Sequence, residues 1–322
     1  MLWSLLIVCL GAETVQSPFT SPASSQAEYG HALTAEQARD GWIALFDGQT
    51  TFGWSDAVVE KSALSRGQTT SDFGSCEIKG AAITAGQLTI GDQNVKLPAG
   101  AFQQLIKVGK AGPIKLGEGL ALKSLAIKPS GLEDVFNGRD LTGWKIIKHP
   151  RLAEDRQAKW TVEEGALHAV GGPGCVELDG KYGDVVLQVE ARMRKKLVNG
   201  GVFFRSVPGD FMNGYEAQLF NGCYENDPAK PARYSTGAID DRQLARRLVS
   251  RDEVPLVMTV IAAGSHIATW VNGYQTVDWT DTRERHENPR HGLRLEPGTI
   301  QLQAHDAETD IEFRRVRLRE FR

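Results

Sequence analysis

From residue 41 onward the chain sets apolar and polar positions in short alternating runs, broken by Gly and Pro roughly every eight to twelve residues. That rhythm predicts strands and turns with little helix, hence an all-β fold. In Asp184–Met193 the residues Val185, Leu187, Val189, Ala191 and Met193 point one way, and Gln188, Glu190 and Arg192 point to a wet face. Thr299–His305 alternates most cleanly, with Ile300, Leu302 and Ala304 inward and Gln301, Gln303 and His305 outward. Val257–Ile261 and Ser265–Gly273 read as a hairpin turning at Ala263-Gly264, with Ile267, Thr269 and Val271 opposite His266, Ala268 and Trp270. Between Phe313 and Val316 the apolar spacing changes from two to three, which predicts a bulge near Arg314 and Arg315.

Two further runs, Asn199–Arg205 and Gly214–Phe220, flank a turn-rich connection at Val207–Gly214 and predict adjacent strands. Alternation puts Gly201, Phe203 and Arg205 on one side of the first, and Glu216 with Gln218 on one side of the second. A cation, a carboxylate and an amide meeting on a sheet face outline a polar ligand site. The same residues also fit a cross-strand ion pair on a solvated sheet.

The chain contains a repeat. Leu45-Phe-Asp-Gly-Gln-Thr-Thr-Phe-Gly-Trp54 recurs as Val135-Phe-Asn-Gly-Arg-Asp-Leu-Thr-Gly-Trp144, with Phe, both glycines and Trp at the same spacing. Ile83–Leu88 parallels Val162–Leu167, and Ile114–Leu116 with Leu122–Ile127 parallels Ile300–Leu302 with Phe313–Leu318. The first copy lacks the middle strands and any counterpart of Arg205 or Glu216. A reduced β module over 34–131 and a complete domain over 132–322 follow. Ahead of them, residues 1–12 read as an export leader, apolar but too short to span a bilayer. Residues 13–33, rich in Ser, Thr, Pro, Gln and Ala, read as a linker. Thr34 and Gln37 form a capping box for a short helix over 34–40.

Composition narrows the function classes. The 322 residues carry a net charge of -3 and a pI near 6.2, which gives no electrostatic reason to expect nucleic acid. The one basic run, Arg314 to Arg322, is interrupted by apolar residues at strand spacing and reads as the wet side of a last strand. Once the leader is removed no membrane span is expected, and the location is secreted or periplasmic. Cys76, Cys175 and Cys223 then remain, an odd set without metal-ligand spacing. No cofactor is expected and no metal site is assigned, although a calcium ion held partly by carbonyls leaves no mark in sequence. Asp240 and Asp241, after the turn Thr236–Ile239, fit a substrate loop or a cation site.

The motifs Phe136-Asn-Gly-Arg-Asp-Leu-Thr-Gly-Trp144, Tyr182–Asp184, Asn199–Arg205, Gly214–Gln218, Thr236–Ile239, Trp270–Gly273, Gly298–His305 and Phe313-Arg314 occur in an order that resembles the 3-keto-disaccharide hydrolase domain family. The resemblance covers nearly all of 132–322. It implies a secreted bacterial protein with a concanavalin-like jelly-roll sandwich and a small carbohydrate substrate. Three positions depart from the family's pattern: Gly200 in place of Ser, Phe220-Asn221 where an acidic residue commonly follows, and Arg315 in place of Asn.

For such a family the implied substrate carries a ketone at carbon 3. That ketone acidifies the proton on carbon 2, so a base removes it and the glycosidic oxygen on carbon 1 leaves, with water added afterwards. The resemblance then implies Glu216 and His305 as base and acid in some order and Arg205 as the clamp on the enolate or ketone. Gln218, Gln303, Asn199 and Trp270 would hold the ring, the Trp by stacking. Trp270 equally fits packing under the first module. Two other functions stay open: a conventional glycoside hydrolase pairing Glu216 with Glu190, and a glycan- or partner-binding sandwich without turnover.

Overall fold

The computed structural model of the protein describes residues 15–16 and 33–321. The leader at 1–12, and the linker apart from 15–16 and 33, lie outside the described residues. The chain is all-β. Its α-helix, Ala35–Arg39, has the expected capping box, in which Thr34 Oγ1 accepts from Gln37 N at 3.0 Å and Gln37 Oε1 accepts from Thr34 N at 2.9 Å.

The second half of the chain builds a two-sheet jelly-roll sandwich. One sheet has five antiparallel strands in the order Trp144–Lys148, Gly174–Leu178, Thr299–Ala304, Gly200–Ser206, Tyr215–Leu219. The other has eight, with Asp310–Glu320 and Val185–Met193 at its centre and the hairpin Leu256–Ala263 and His266–Val271 beside them. Their facing sides form one core containing Val185, Leu187, Val189, Ala191, Val202, Phe204, Ala217, Ile267, Val271, Ile300 and Leu302. The expected bulge is present, since the register against Asp310–Glu320 slips where Glu190 pairs Arg315 and Ala191 pairs Phe313.

The first half forms a single nine-stranded sheet between Ile43 and Pro129. Gln104 Nε2 near one edge donates to Lys96 O at the other edge, 3.1 Å away, so the sheet curls until its margins meet around Leu64, Ile78, Leu88, Ile90 and Leu122. The repeat is structural as well as sequential. Trp54 Nε1 donates to Leu45 O (2.5 Å) and Trp144 Nε1 to Val135 O (2.8 Å), each nine residues back. Both turns are built alike: Asp47 and Asn137 cap the following backbone N–H groups, and Gly48, Gly53, Gly138 and Gly143 all take positive φ.

The module lies on the outer face of the eight-stranded sheet. Val186, Ile261, Ala268 and Trp270 belong to the module's core cluster. This corrects the wet face expected for Asp184–Met193. Gln188 is buried there, donating to Gly41 O (2.9 Å) and Thr259 Oγ1 (3.0 Å) and accepting from Arg317 (2.8 Å). Arg319, expected on the solvated side of the last strand, donates to Ser75 O (2.8 Å) in the module.

Candidate functional site

The face of the five-stranded sheet turned away from the sandwich core carries the polar residues of the alternating strands, most of them buried. Register places Ile147, Cys175, Gln303, Gly201 and Gln218 side by side in one row across the five strands. Lys145, Glu177, Gln301, Phe203 and Glu216 form the next row. Gly201 opens a gap in the first row, and Glu216 fills it: a Cβ added at Gly201 would lie 2.4 Å from Glu216 Oε1. The Glu216 carboxyl therefore leans over Gly201, in the row that holds Gln218 and Gln303 on either side.

Glu216 is buried and multiply held. Arg290 reaches it from the segment after Thr280, with NH2 2.6 Å from Glu216 Oε2 and NH1 2.6 Å from Asp240 Oδ2. Burial pushes the Glu216 carboxyl up to about 8; Arg290 opposes this, and a carboxyl–carboxyl hydrogen bond to Asp240 adds to it. Burial also disfavours the Arg290 charge, but the two carboxyls outweigh it and leave the guanidinium above its ordinary value. Below pH 8 the cluster thus holds Arg290 as a cation and one proton on Glu216. With its amide oriented to satisfy its neighbours, Gln218 donates to Glu216 Oε1 (2.8 Å) and to Gly200 O (3.0 Å), and its oxygen lies 3.3 Å from the Asn199 side-chain amide. Gln303 is fully buried, and neither atom of its amide has a partner among the described residues.

A strap formed by residues 207–214 crosses the second row. Gly209 N donates to Glu177 (2.9 Å), and Gln301 Nε2 donates to Glu177 Oε2 and to Asp210 O, both at 2.8 Å. Met212 O accepts from Arg290 Nε at 3.2 Å. Phe211 meets the His149 ring edge-on, with centroids 5.1 Å apart.

Residues 131–319 match the family model described as a 3-keto-alpha-glucoside-1,2-lyase-like domain. The chain belongs to that family. No curated protein sequence matches the chain. Solved structures that resemble this lyase-like chain include three candidate glycosyl hydrolases from Parabacteroides distasonis ATCC 8503. They are 17%, 18% and 22% identical, with TM-scores of 0.47, 0.45 and 0.44. Each covers 60% of this chain, and the match spans 94%, 100% and 85% of theirs.

Within the lyase-like domain the expected site residues separate into two groups. Glu216, Gln218, Gln303 and Asn199 gather on the face of the five-stranded sheet turned away from the core. His305 lies two residues beyond Gln303, just past the end of its strand, exposed and 2.9 Å from Asp306. It sits two strands and four residues from Glu216, about 16 Å between Cα atoms by strand geometry. The structure does not bring those two side chains together on one bond.

Three expectations are corrected. Arg205 does not face Glu216: the register slips between Phe203 and Ser206, and Arg205 adopts φ 48°. Its guanidinium is buried against Asp184 (2.7 Å), Gly264 O (2.7 Å), Arg294 O (3.1 Å) and Gly183 O (3.2 Å). Trp270 stacks on no ligand surface; it is buried beneath the module, donating to Ala44 O at 3.0 Å with Phe73 edge-on at 6.5 Å. Glu190 lies on the eight-stranded sheet among Arg39, Arg315 and Arg317, on the far layer from Glu216. The cation that sequence reasoning missed is Arg290. It lies in an irregular, charge-rich segment with no periodicity to mark it. Glu177 was also missed, and its only signal is a lone charge between Val176 and Leu178.

Proposed function

We propose that the protein cleaves the glycosidic bond of sugars bearing a ketone at carbon 3, by elimination followed by hydration, after export from the cytoplasm. The observation that carries this reading is the Glu216–Asp240–Arg290 cluster. There Arg290 lies 2.6 Å from each of two carboxyls, and the Gln218 amide lies 2.8 Å from Glu216. Asp240, paired with Arg290 at 2.6 Å, takes the proton from carbon 2. The electron pair released forms the C1–C2 double bond, the bond from C1 to the glycosidic oxygen breaks, and that oxygen takes the proton from Glu216. A proton transfer from Asp240 to Glu216, both held on Arg290, then restores the starting state, and water adds across the double bond. Gln303 Nε2, unpartnered among the described residues, offers its N–H to the enolate oxygen on carbon 3. Asn199 and His305, beyond that row at the ends of their strands, would meet the departing sugar.

Conventional two-carboxylate hydrolysis is less well supported. It needs carboxyls roughly 5 to 9.5 Å apart across the bond. Glu190 is in the other sheet, Asp240 is drawn to the same guanidinium as Glu216, and Glu177 is three strands away, about 14 Å between Cα atoms.

The test is incubation with a 3-keto disaccharide and with its unoxidised parent, followed by quantification of released sugar. The wild type should cleave the first and spare the second, and Glu216→Gln and Asp240→Asn should each abolish turnover. Cleavage of the parent at a comparable rate would defeat the elimination route. Binding of either sugar without release would instead favour a glycan-binding module.

A further inference from the structure

The chemistry above leaves one fully buried carboxylate unused. Glu177 accepts from Gly209 N (2.9 Å), Gln301 Nε2 (2.8 Å) and Thr299 Oγ1 (3.1 Å), and pairs with Lys145 Nζ at 2.7 Å. Burial opposes its charge, but Lys145, Gln301, Gly209 and Thr299 outweigh that and hold the carboxyl below its ordinary range. The Lys145 side chain is half exposed, so its pairing with Glu177 adds little to the stability of the sheet. What the charge does here is grip the strap. Glu177 holds the backbone of Gly209, and Gln301 ties Glu177 to Asp210 O. The strap's far end supplies Met212 O to Arg290 Nε, while Asn213 Oδ1 accepts from Asn288 Nδ2 (2.8 Å). Asn288 Oδ1 in turn accepts from Arg290 N at 2.9 Å. Two of the handles on Arg290 therefore lead back to residues 207–214, and a third, its carbonyl, accepts from Arg242 NH2 at 2.6 Å.

We infer that Glu177 is a positioning residue, which pins the 207–214 strap and through it holds Arg290 against Glu216 and Asp240. The catalytic part of this inference rests on the reading of Glu216 and Asp240 as the reacting pair; the mechanical part does not. Cys175 provides a reporter, because its buried thiol lies in the row next to Glu177, with the backbone of the strap residue Met212 close to it.

The experiment labels native protein with iodoacetamide and follows each cysteine by peptide mass mapping, in wild type, Glu177→Gln and Gln301→Met. The second variant removes the amide that links Glu177 to the strap, and keeps the test open if the first fails to fold. Cys175 should react on the order of tenfold faster in the variants through local opening, while Cys76 and Cys223, also buried, stay at the wild-type rate. With the 3-keto disaccharide, kcat should fall by about tenfold or more with KM nearly unchanged, as misplacement of a reacting group requires. Unchanged Cys175 labelling in the folded variants overturns the inference, as does faster labelling with unaltered kcat. If wild type does not turn over the sugar, the proposed reaction fails but the strap is still tested. Solvent exchange of the Arg290 Nε–H, read by NMR, should accelerate in the variants, and unchanged exchange would overturn the inference.

Discussion

Replacing Glu216 with Gln should remove a large pH dependence from both stability and activity. In the folded protein the Glu216 carboxyl titrates near 8 against an ordinary value of 4.5, principally because burial penalises its charge. Above pH 4.5 the unfolded chain gives up this proton while the folded chain keeps it until about pH 8. The native state then binds more protons, so this group's contribution is complete below pH 4.5 and is lost as pH rises toward 8. At roughly 1.4 kcal/mol per pH unit, wild type should lose about 3–4 kcal/mol from this source between pH 5 and pH 8. Urea unfolding at a series of pH values measures it. Glu216→Gln, which cannot ionise, should flatten the curve over that window. Turnover by wild type should fall through the same midpoint, by about tenfold at pH 9, if the Glu216 proton is the one delivered. Parallel stability curves for the two proteins, or a Glu216 carboxyl that titrates near 4.5 by carbon NMR, would refute the reasoning.

Three further outcomes follow from named contacts. Gly201→Ala places a Cβ 2.4 Å from Glu216 Oε1, so the carboxyl must move; kcat should drop by up to about a hundredfold while the melting temperature changes much less. Trp270→Ala should cost about 3–5 kcal/mol in denaturant unfolding, by opening a cavity between module and sandwich, with KM for any sugar unchanged. Arg205→Met orphans the carbonyls of Gly183, Gly264 and Arg294 and should cost about 2–3 kcal/mol, with turnover per folded molecule retained.

Strand positions were legible because a period of two is imposed by the pleat itself. Val185 to Met193, Ile300 to Ala304 and the hairpin around Gly264 all turn their apolar residues where alternation puts them. Even the bulge near Arg314 shows as a slip from two to three. Alternation fails at Arg205, where a local bulge and a left-handed φ rotate one side chain off its expected face, and nothing in Phe203-Phe204-Arg205-Ser206 announces it. It is also silent about what covers a polar face. Gln188 and Trp270 read as outward and are outward from the sandwich core, yet the module lies over them. Arg290 was illegible for a different reason: its role depends on a long-range approach to Glu216 and Asp240, and an irregular loop carries no register from which to infer one.

The stacking of the module on the eight-stranded sheet bears on what can be cut apart. The family match starts at residue 131, yet the stretch it covers borrows the lining for one of its sheets from outside the match. A fragment beginning there would bare Val186, Ile261, Ala268 and Trp270 as an oily strip on an otherwise finished sandwich, inviting self-association. The lyase-like half and its smaller relative are two words in the sequence but share a seam that makes them one object to purify, unfold and evolve.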